Sequence, residues 1–126
     1  MATRTRTAVF FAAAMTAAAL TAATGALAAP RAESALECGI AADMAVVAHS
    51  LAHEQIQRQK ADIIMARIYD VAQSERGQAL MKEILDAAYV PTGPVAKATS
   101  QEFAQTLYST CMKSGGDMDP VLGKKL

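Results

Sequence analysis

The chain has 126 residues, with 12 basic and 12 acidic side chains and no net charge at neutral pH. It contains no Trp, three Tyr and three Phe. Balanced charge argues against the basic surface that binds nucleic acid or an anionic membrane, and so few aromatic rings argue against a base-stacking platform.

The first 28 residues have the organisation of a secretory signal peptide. Arg4 and Arg6 precede a charge-free run from Ala8 to Ala28 that ends in small residues. We expect cleavage after Ala28 and export to the periplasm or out of the cell, with no membrane association afterwards. A retained anchor is the alternative, because the run approaches the length that spans a bilayer. Cleavage leaves one domain-sized chain with 10 basic and 12 acidic side chains, a net charge of −2.

After a flexible lead, residues 29–35, the pattern from Leu36 to about Gln59 predicts one long helix with two apolar stripes. One stripe contains the larger aliphatic side chains: Leu36, Ile40, Met44, Val47 and Leu51. The other lies on nearly the opposite side and is mostly alanine: Cys38, Ala41, Ala45, Ala48, Ala52 and Ile56. A helix that is apolar on two sides should be covered on two sides, so we predict that it is the central helix of a small bundle.

A second helix is expected from a cap at Asp62 through Gln73, after a bend near Lys60 where polar residues crowd every face. Its predicted inward positions are Ile64, Met65, Ile68 and Ala72. The alternative is a continuous helix over residues 36–73, because this stretch contains neither Gly nor Pro.

Ser74 is a plausible cap for a third helix that runs from Glu75 to about Tyr89 and is stopped by Pro91. Its predicted inward stripe is Leu80, Ile84, Leu85 and Ala88.

The fourth helix begins at a capping box and runs to Lys113 or Ser114. Thr99 and Glu102 form that box, and Gly115-Gly116 provides the stop. Phe103, Leu107 and Cys111 form its apolar stripe. The sequence thus predicts an all-α domain, residues 36–114, of about four helices around a long first helix, followed by a mobile tail, residues 115–126.

The two cysteines, Cys38 and Cys111, are expected to form a structural disulfide. They begin the first helix and end the fourth, so antiparallel packing of these helices would bring them together. A catalytic redox pair is normally close in sequence, as in C-x-x-C, whereas this pair is far apart.

His49 and His53 lie one helical turn apart and could contribute to a transition-metal site. The chain has no third histidine, and Gln57 stands where an H-E-x-x-H motif requires its second one. We therefore predict a solvated helix face, with no metal and no cofactor. No sequence motif of a nucleotide-binding or catalytic site is present, so we expect a protein that is not an enzyme.

The loop from Tyr89 to Ala98 is the best candidate for a binding surface, since loops on rigid scaffolds carry recognition. Tyr89 could supply an amphipathic anchor, and Pro91 and Pro94 would reduce the entropy lost on binding. The alternative is that Tyr89 simply covers the end of the core.

Several short motifs carry a resemblance. Cys38 with its Ala-rich helix, Met65-Ala66-Arg67, Ala88-Tyr89-x-Pro91 and Phe103 with Cys111-Met112 resemble a loose group of small exported bacterial proteins with one disulfide and no established activity. In size, helicity and single disulfide the chain is also similar to acid-stress chaperones of the HdeA type, in architecture only.

These observations favour a binding module for another envelope or secreted protein, as a chaperone, inhibitor or immunity factor. The alternatives are a metal or small-ligand carrier that uses His49 and His53, and a structural component of the envelope.

Overall fold

The computed structural model describes residues 31–70 and 74–124, so the predicted signal peptide, residues 1–28, lies outside the described part. Its helices are α1 (Ala35–His53), α2 (Arg58–Tyr69), α3 (Glu75–Tyr89), α4 (Ser100–Lys113) and the short α5 (Asp119–Leu122), with a 3-10 turn at Gly93–Lys97. No strand occurs in these residues. The predicted all-α bundle with one disulfide is confirmed.

The first helix, α1, is the central helix, and its alanine stripe is the side that the bundle covers. Cys38, Ala41, Ala45 and Ala48 are all buried on this stripe. The small side chains allow α4 to pack closely, and α4 and then α3 make the most extensive contacts with α1. The other stripe is covered only in part. Met44 is buried, but Leu36 is 74% exposed and Ile40 39% exposed, so the expectation of two fully covered sides is wrong at the start of the helix.

Helix α1 ends at His53, about six residues earlier than predicted, and α2 begins at Arg58 instead of after Asp62. The chain turns at Gln55, which adopts a φ of 62°. Asp62 does not cap the helix, because it lies inside α2, whose N-cap is Gln57. Its carboxylate accepts a hydrogen bond from Arg58 Nε at 3.2 Å. The break therefore lies before Lys60, and the continuous helix is excluded.

Fewer of the predicted inward positions of α2 are buried than the sequence pattern indicated. Ala61 and Met65 are fully buried, whereas Ile68 is 54% exposed. The helix ends at Tyr69, with Asp70 in the left-handed region at φ 46°. The predicted inward position Ala72 lies outside the described residues.

Helices α3 and α4 follow the sequence signals closely. Ser74 Oγ accepts a hydrogen bond from Gly77 N at 2.9 Å, and Thr99 and Glu102 form the predicted capping box. The two predicted stripes are buried: Leu80, Ile84, Leu85 and Ala88 on α3, and Phe103, Leu107 and Cys111 on α4. After α4, Gly116 N donates to the Cys111 carbonyl at 2.8 Å, which closes the helix end in a Schellman pattern.

The disulfide joins Cys38 and Cys111, whose Cα atoms are 5.7 Å apart. At the other end of the same helix pair, Ser50 Oγ lies 3.3 Å from Ser100 Oγ. The two contacts show that α1 and α4 are antiparallel. By length and composition alone, α1 is long and apolar enough to cross a membrane. Core helices of globular proteins often meet the same criteria.

The described parts of the predicted lead and tail, residues 31–35 and 115–124, contact each other and the bundle. Ala32 N donates to the Gly116 carbonyl at 3.2 Å, and Arg31, Ala32 and Met118 are buried. Arg31 bonds to Glu83 on α3, to Asp119 Oδ1 at 2.7 Å and to the Gly123 carbonyl at 2.6 Å. Partners so distant in sequence leave no local periodic pattern.

Candidate functional site

Two sets of candidate residues, the histidines of α1 and residues of the loop that follows α3, line one open groove. This groove lies at the end of the bundle away from the disulfide. We call it the polar groove. It has a volume of about 400 Å³, and its walls are the last turns of α1 and α3 and the 93–97 turn. His49 and His53 line one wall, and Tyr89, Pro91 and Lys97 line the other.

The two histidines have different surroundings. His49 is half-buried, its Nδ1 lies 2.8 Å from Ser100 Oγ, and its ring centroid lies 5.9 Å from that of Phe103. His53 is exposed in the last turn of α1, where a cation is favoured by the helix dipole. The pair is therefore not two equivalent ligands, because one ring is held against α4 and the other faces solvent.

The described residues contain no group of three or more His, Cys, Asp or Glu side chains that could hold a metal ion. His49 can offer only Nε2 while Nδ1 stays with Ser100. That the two histidines bind no metal tightly remains a prediction, which a metal titration can test.

Tyr89 closes the end of the core. Its hydroxyl donates to the Ile56 carbonyl at 2.7 Å, which ties the end of α3 to the turn between α1 and α2. The Arg58 guanidinium lies 5.8 Å from the ring centroid, within cation–π range. Burial raises the pKa of the Tyr89 hydroxyl, with a smaller contribution from Asp62, and Arg58 opposes that rise. Of the two interpretations of Tyr89, these contacts favour the core cover, although the residue also lines the groove.

The prolines are placed differently around the groove. Pro91 is exposed and lines it. Pro94 belongs to the 3-10 turn, but its side chain lies outside the described part. Sequence reasoning did not single out Lys97 and Ser100. Ser100 follows the Thr99 cap directly, which gave no sign that it would meet a histidine 51 residues away.

The ionisable groups that line the groove are His49, His53, Tyr89 and Lys97, and no carboxylate belongs to its described lining. A pair of carboxylates for acid–base chemistry is therefore not available there. The side chains of the groove can donate hydrogen bonds, and Lys97 can attract negative charge.

Comparison of the chain with protein-family models, with curated proteins and with solved structures finds no match. The function must therefore be argued from the geometry of this chain.

Proposed function

We propose that this chain is an exported, non-enzymatic protein-binding module that holds a segment of a partner protein in the polar groove. Export is supported by the Cys38–Cys111 disulfide, since such bonds persist in oxidising compartments. The charge-free run from Ala8 to Ala28 supports it independently.

The observation that carries the binding proposal is the convergence of side chains from α1, α3 and the 93–97 turn on one concave surface. Its walls are held in place before any partner arrives. Tyr89 is tied to Ile56, and His49 to Ser100. Preformed walls reduce the entropy that binding costs, so a small surface can still bind selectively.

The charges of the groove indicate the chemistry of the partner segment. Lys97 and His53 are exposed at its rim, and its described lining contains no carboxylate to repel an anion. Ala52, Ala88 and Val95 provide an apolar floor. We therefore expect an extended segment that combines acidic side chains with small apolar ones.

Site-specific photo-crosslinking in the native envelope tests this proposal. A photoreactive phenylalanine analogue replaces Ala96, which is exposed in the groove wall, or Ser109, which is exposed on α4 outside it. We expect one discrete protein adduct from position 96 and none from position 109. Mass spectrometry of the adduct then identifies the cross-linked peptide of the partner.

Charge reversal provides the second arm of the experiment. Lys97→Glu changes an exposed side chain in the 93–97 turn and should leave the melting temperature unchanged, whereas His53→Glu places an anion in the last turn of α1 and should lower it slightly. Both should decrease the adduct from position 96 several-fold. Equal adducts from positions 96 and 109, or an adduct that both charge reversals leave intact, would refute the groove as the binding surface.

A further inference from the structure

A second cavity lies on the other side of the 93–97 turn from the polar groove. It has a volume of about 280 Å³, is open to solvent on one side, and is bordered by that turn, by α4 and by the tail helix α5. We call it the tail pocket. Phe103, which is 1% exposed, and Val95, which is 7% exposed, form its inner surface, with Val121 of the tail opposite. The inner part of the pocket is therefore apolar.

Three threonines line the tail pocket: Thr92, just before the 93–97 turn, and two on α4. Thr106 and Thr110 are one helical turn apart on α4 and share the face that borders Phe103. Thr106 is exposed and Thr110 half-buried. Each hydroxyl can both donate and accept a hydrogen bond, so together they can orient a ligand that carries one polar group.

The described lining of the tail pocket offers no free positive charge to a ligand. Asp119 is the single ionisable side chain in its described lining. The Asp119 carboxylate accepts a hydrogen bond from Arg31 Nη1 at 2.7 Å, and Arg31 is itself buried. Arg31 also pairs with Glu83 and Asp117, so an anionic ligand would lose its hydration here without gaining an opposite charge, which is costly.

We propose that the tail pocket binds a small uncharged molecule: one aromatic ring or branched aliphatic group that carries a single hydroxyl or amide. The size follows from the volume, since an apolar cavity of about 150 Å³ holds benzene and the tail pocket is nearly twice as large. The polarity follows from the apolar interior with hydroxyls at the rim. This inference does not rest on the proposed function, because the histidines and Tyr89 of the polar groove take no part in it.

The test uses 4-ethylphenol as the probe and 4-ethylbenzoate as a charged molecule of similar shape. Titration of the ¹⁵N-labelled mature protein with each is followed by NMR. We expect saturable binding of 4-ethylphenol, with shift changes concentrated in residues 103–110 of α4 and 119–123 of the tail, which belong to the tail pocket and not to the polar groove. The benzoate should bind at least tenfold more weakly.

Two variants of exposed positions on α4 localise the binding. Thr106→Trp places a large side chain over the pocket and should abolish binding, whereas Ser109→Trp, outside its lining, should leave the affinity unchanged. Thr110→Val keeps the shape, removes a hydroxyl and should weaken 4-ethylphenol about tenfold. Melting temperatures confirm that each variant is folded.

The shift map of the unmodified protein decides the matter even where a variant fails to fold. No saturable binding of 4-ethylphenol, equal binding of the benzoate, or shift changes centred on His49, His53 and Tyr89, which line only the polar groove, would each overturn the inference.

Discussion

The two ends of the antiparallel pair α1 and α4 are fastened by different chemistry. At one end, which we call the disulfide end, Cys38 is bonded to Cys111, and the lead and tail pair through Ala32 and Gly116. At the other, the groove end, His49 and Ser50 meet Ser100 only through side-chain hydrogen bonds. The first end is fixed covalently and is largely buried, while the second keeps polar side chains at the surface, where they can meet a partner.

This difference has an energetic consequence. A disulfide that closes a long loop stabilises a small domain by several kcal/mol, whereas a hydrogen bond between side chains contributes about 1 kcal/mol. Breaking the link at the disulfide end should therefore cost far more stability than breaking a hydrogen bond at the groove end.

Removing the disulfide should have the largest effect. Its cysteines are 73 positions apart, and the chain-entropy model gives about 4 kcal/mol for a loop of this length. Calorimetry of the exported protein with and without reductant should show a melting temperature about 20 °C lower after reduction.

The matching control is thiol reactivity. Cys38 is 3% exposed and Cys111 fully buried, so the oxidised protein should show no free thiol by intact mass. Alkylation of both cysteines without denaturant or reductant would contradict the disulfide.

Arg31 provides the next largest effect. Its side chain is 3% exposed and bonds to Glu83 and Asp119. Arg31→Met removes hydrogen bonds to Glu83, Asp119 and the Gly123 carbonyl. The carboxylates are partly exposed and therefore screened by solvent, so we expect a total loss of about 3 kcal/mol in the free energy of unfolding. Urea unfolding measures it.

The control for Arg31→Met is Arg76→Met. Arg76 also contacts two carboxylates, Glu33 and Glu37, but its own side chain is 36% exposed. Solvent screens such pairs, so this change should have a small effect. If the two variants lost the same free energy of unfolding, the burial of the arginine would not explain the contribution of its ion pairs to stability.

Gly116 tests the close approach of lead and tail. It has a φ of 97°, and an added Cβ would lie 1.8 Å from the Ala32 carbonyl oxygen. Gly116→Ala should therefore cost about 3 kcal/mol, from both the strained φ and the backbone clash.

Gly115 is the matched position for this test. Its φ is 63°, yet an added Cβ there meets nothing within 4 Å. Gly115→Ala should cost about 1 kcal/mol, the price of the left-handed conformation alone. If the two variants unfold at the same urea concentration, the lead does not pack on Gly116 in solution.

At the groove end, Tyr89→Phe removes the hydroxyl that bonds to the Ile56 carbonyl but keeps the ring. We expect a loss of about 1 kcal/mol by urea unfolding. Tyr108→Phe, at a residue that is 41% exposed, should change nothing measurable. A Tyr89→Phe variant as stable as the parent would mean that this hydrogen bond adds nothing to the fold.

The parts of the fold that the sequence predicted correctly have local signals that agree with one another. For α3 and α4, a cap, an apolar period and a Pro or Gly stop mark the same boundaries, and no tertiary contact is needed to place them. The disulfide followed from the predicted export and from the positions of the two cysteines in a predicted antiparallel pair of helices.

The parts that the sequence missed depend on contacts between distant residues. The break after His53 uses a positive φ at Gln55, which neither Gly nor Pro announced. The tail is packed because Arg31 reaches Asp119, 88 residues away, and Met118 is buried in the core.

The candidate site could be predicted only as separate residues. His49 and His53 follow from helical spacing, and Tyr89 and Pro91 from the loop that ends α3. That they line one groove depends on the packing of α1 against α3 and on the 93–97 turn. A single sequence carries no signal for that arrangement.

Metal binding at the groove end should have the smallest effect of all. Titration calorimetry with Zn²⁺ or Cu²⁺ should show at most weak binding, since His49 and His53 lack a third ligand and His49 Nδ1 is engaged by Ser100. His49→Ala should abolish whatever weak binding exists, and His53→Ala should do the same if both rings contribute. A stoichiometric site with submicromolar affinity would reverse the comparison, because the groove end would then be a built metal centre and the carrier function would replace protein binding.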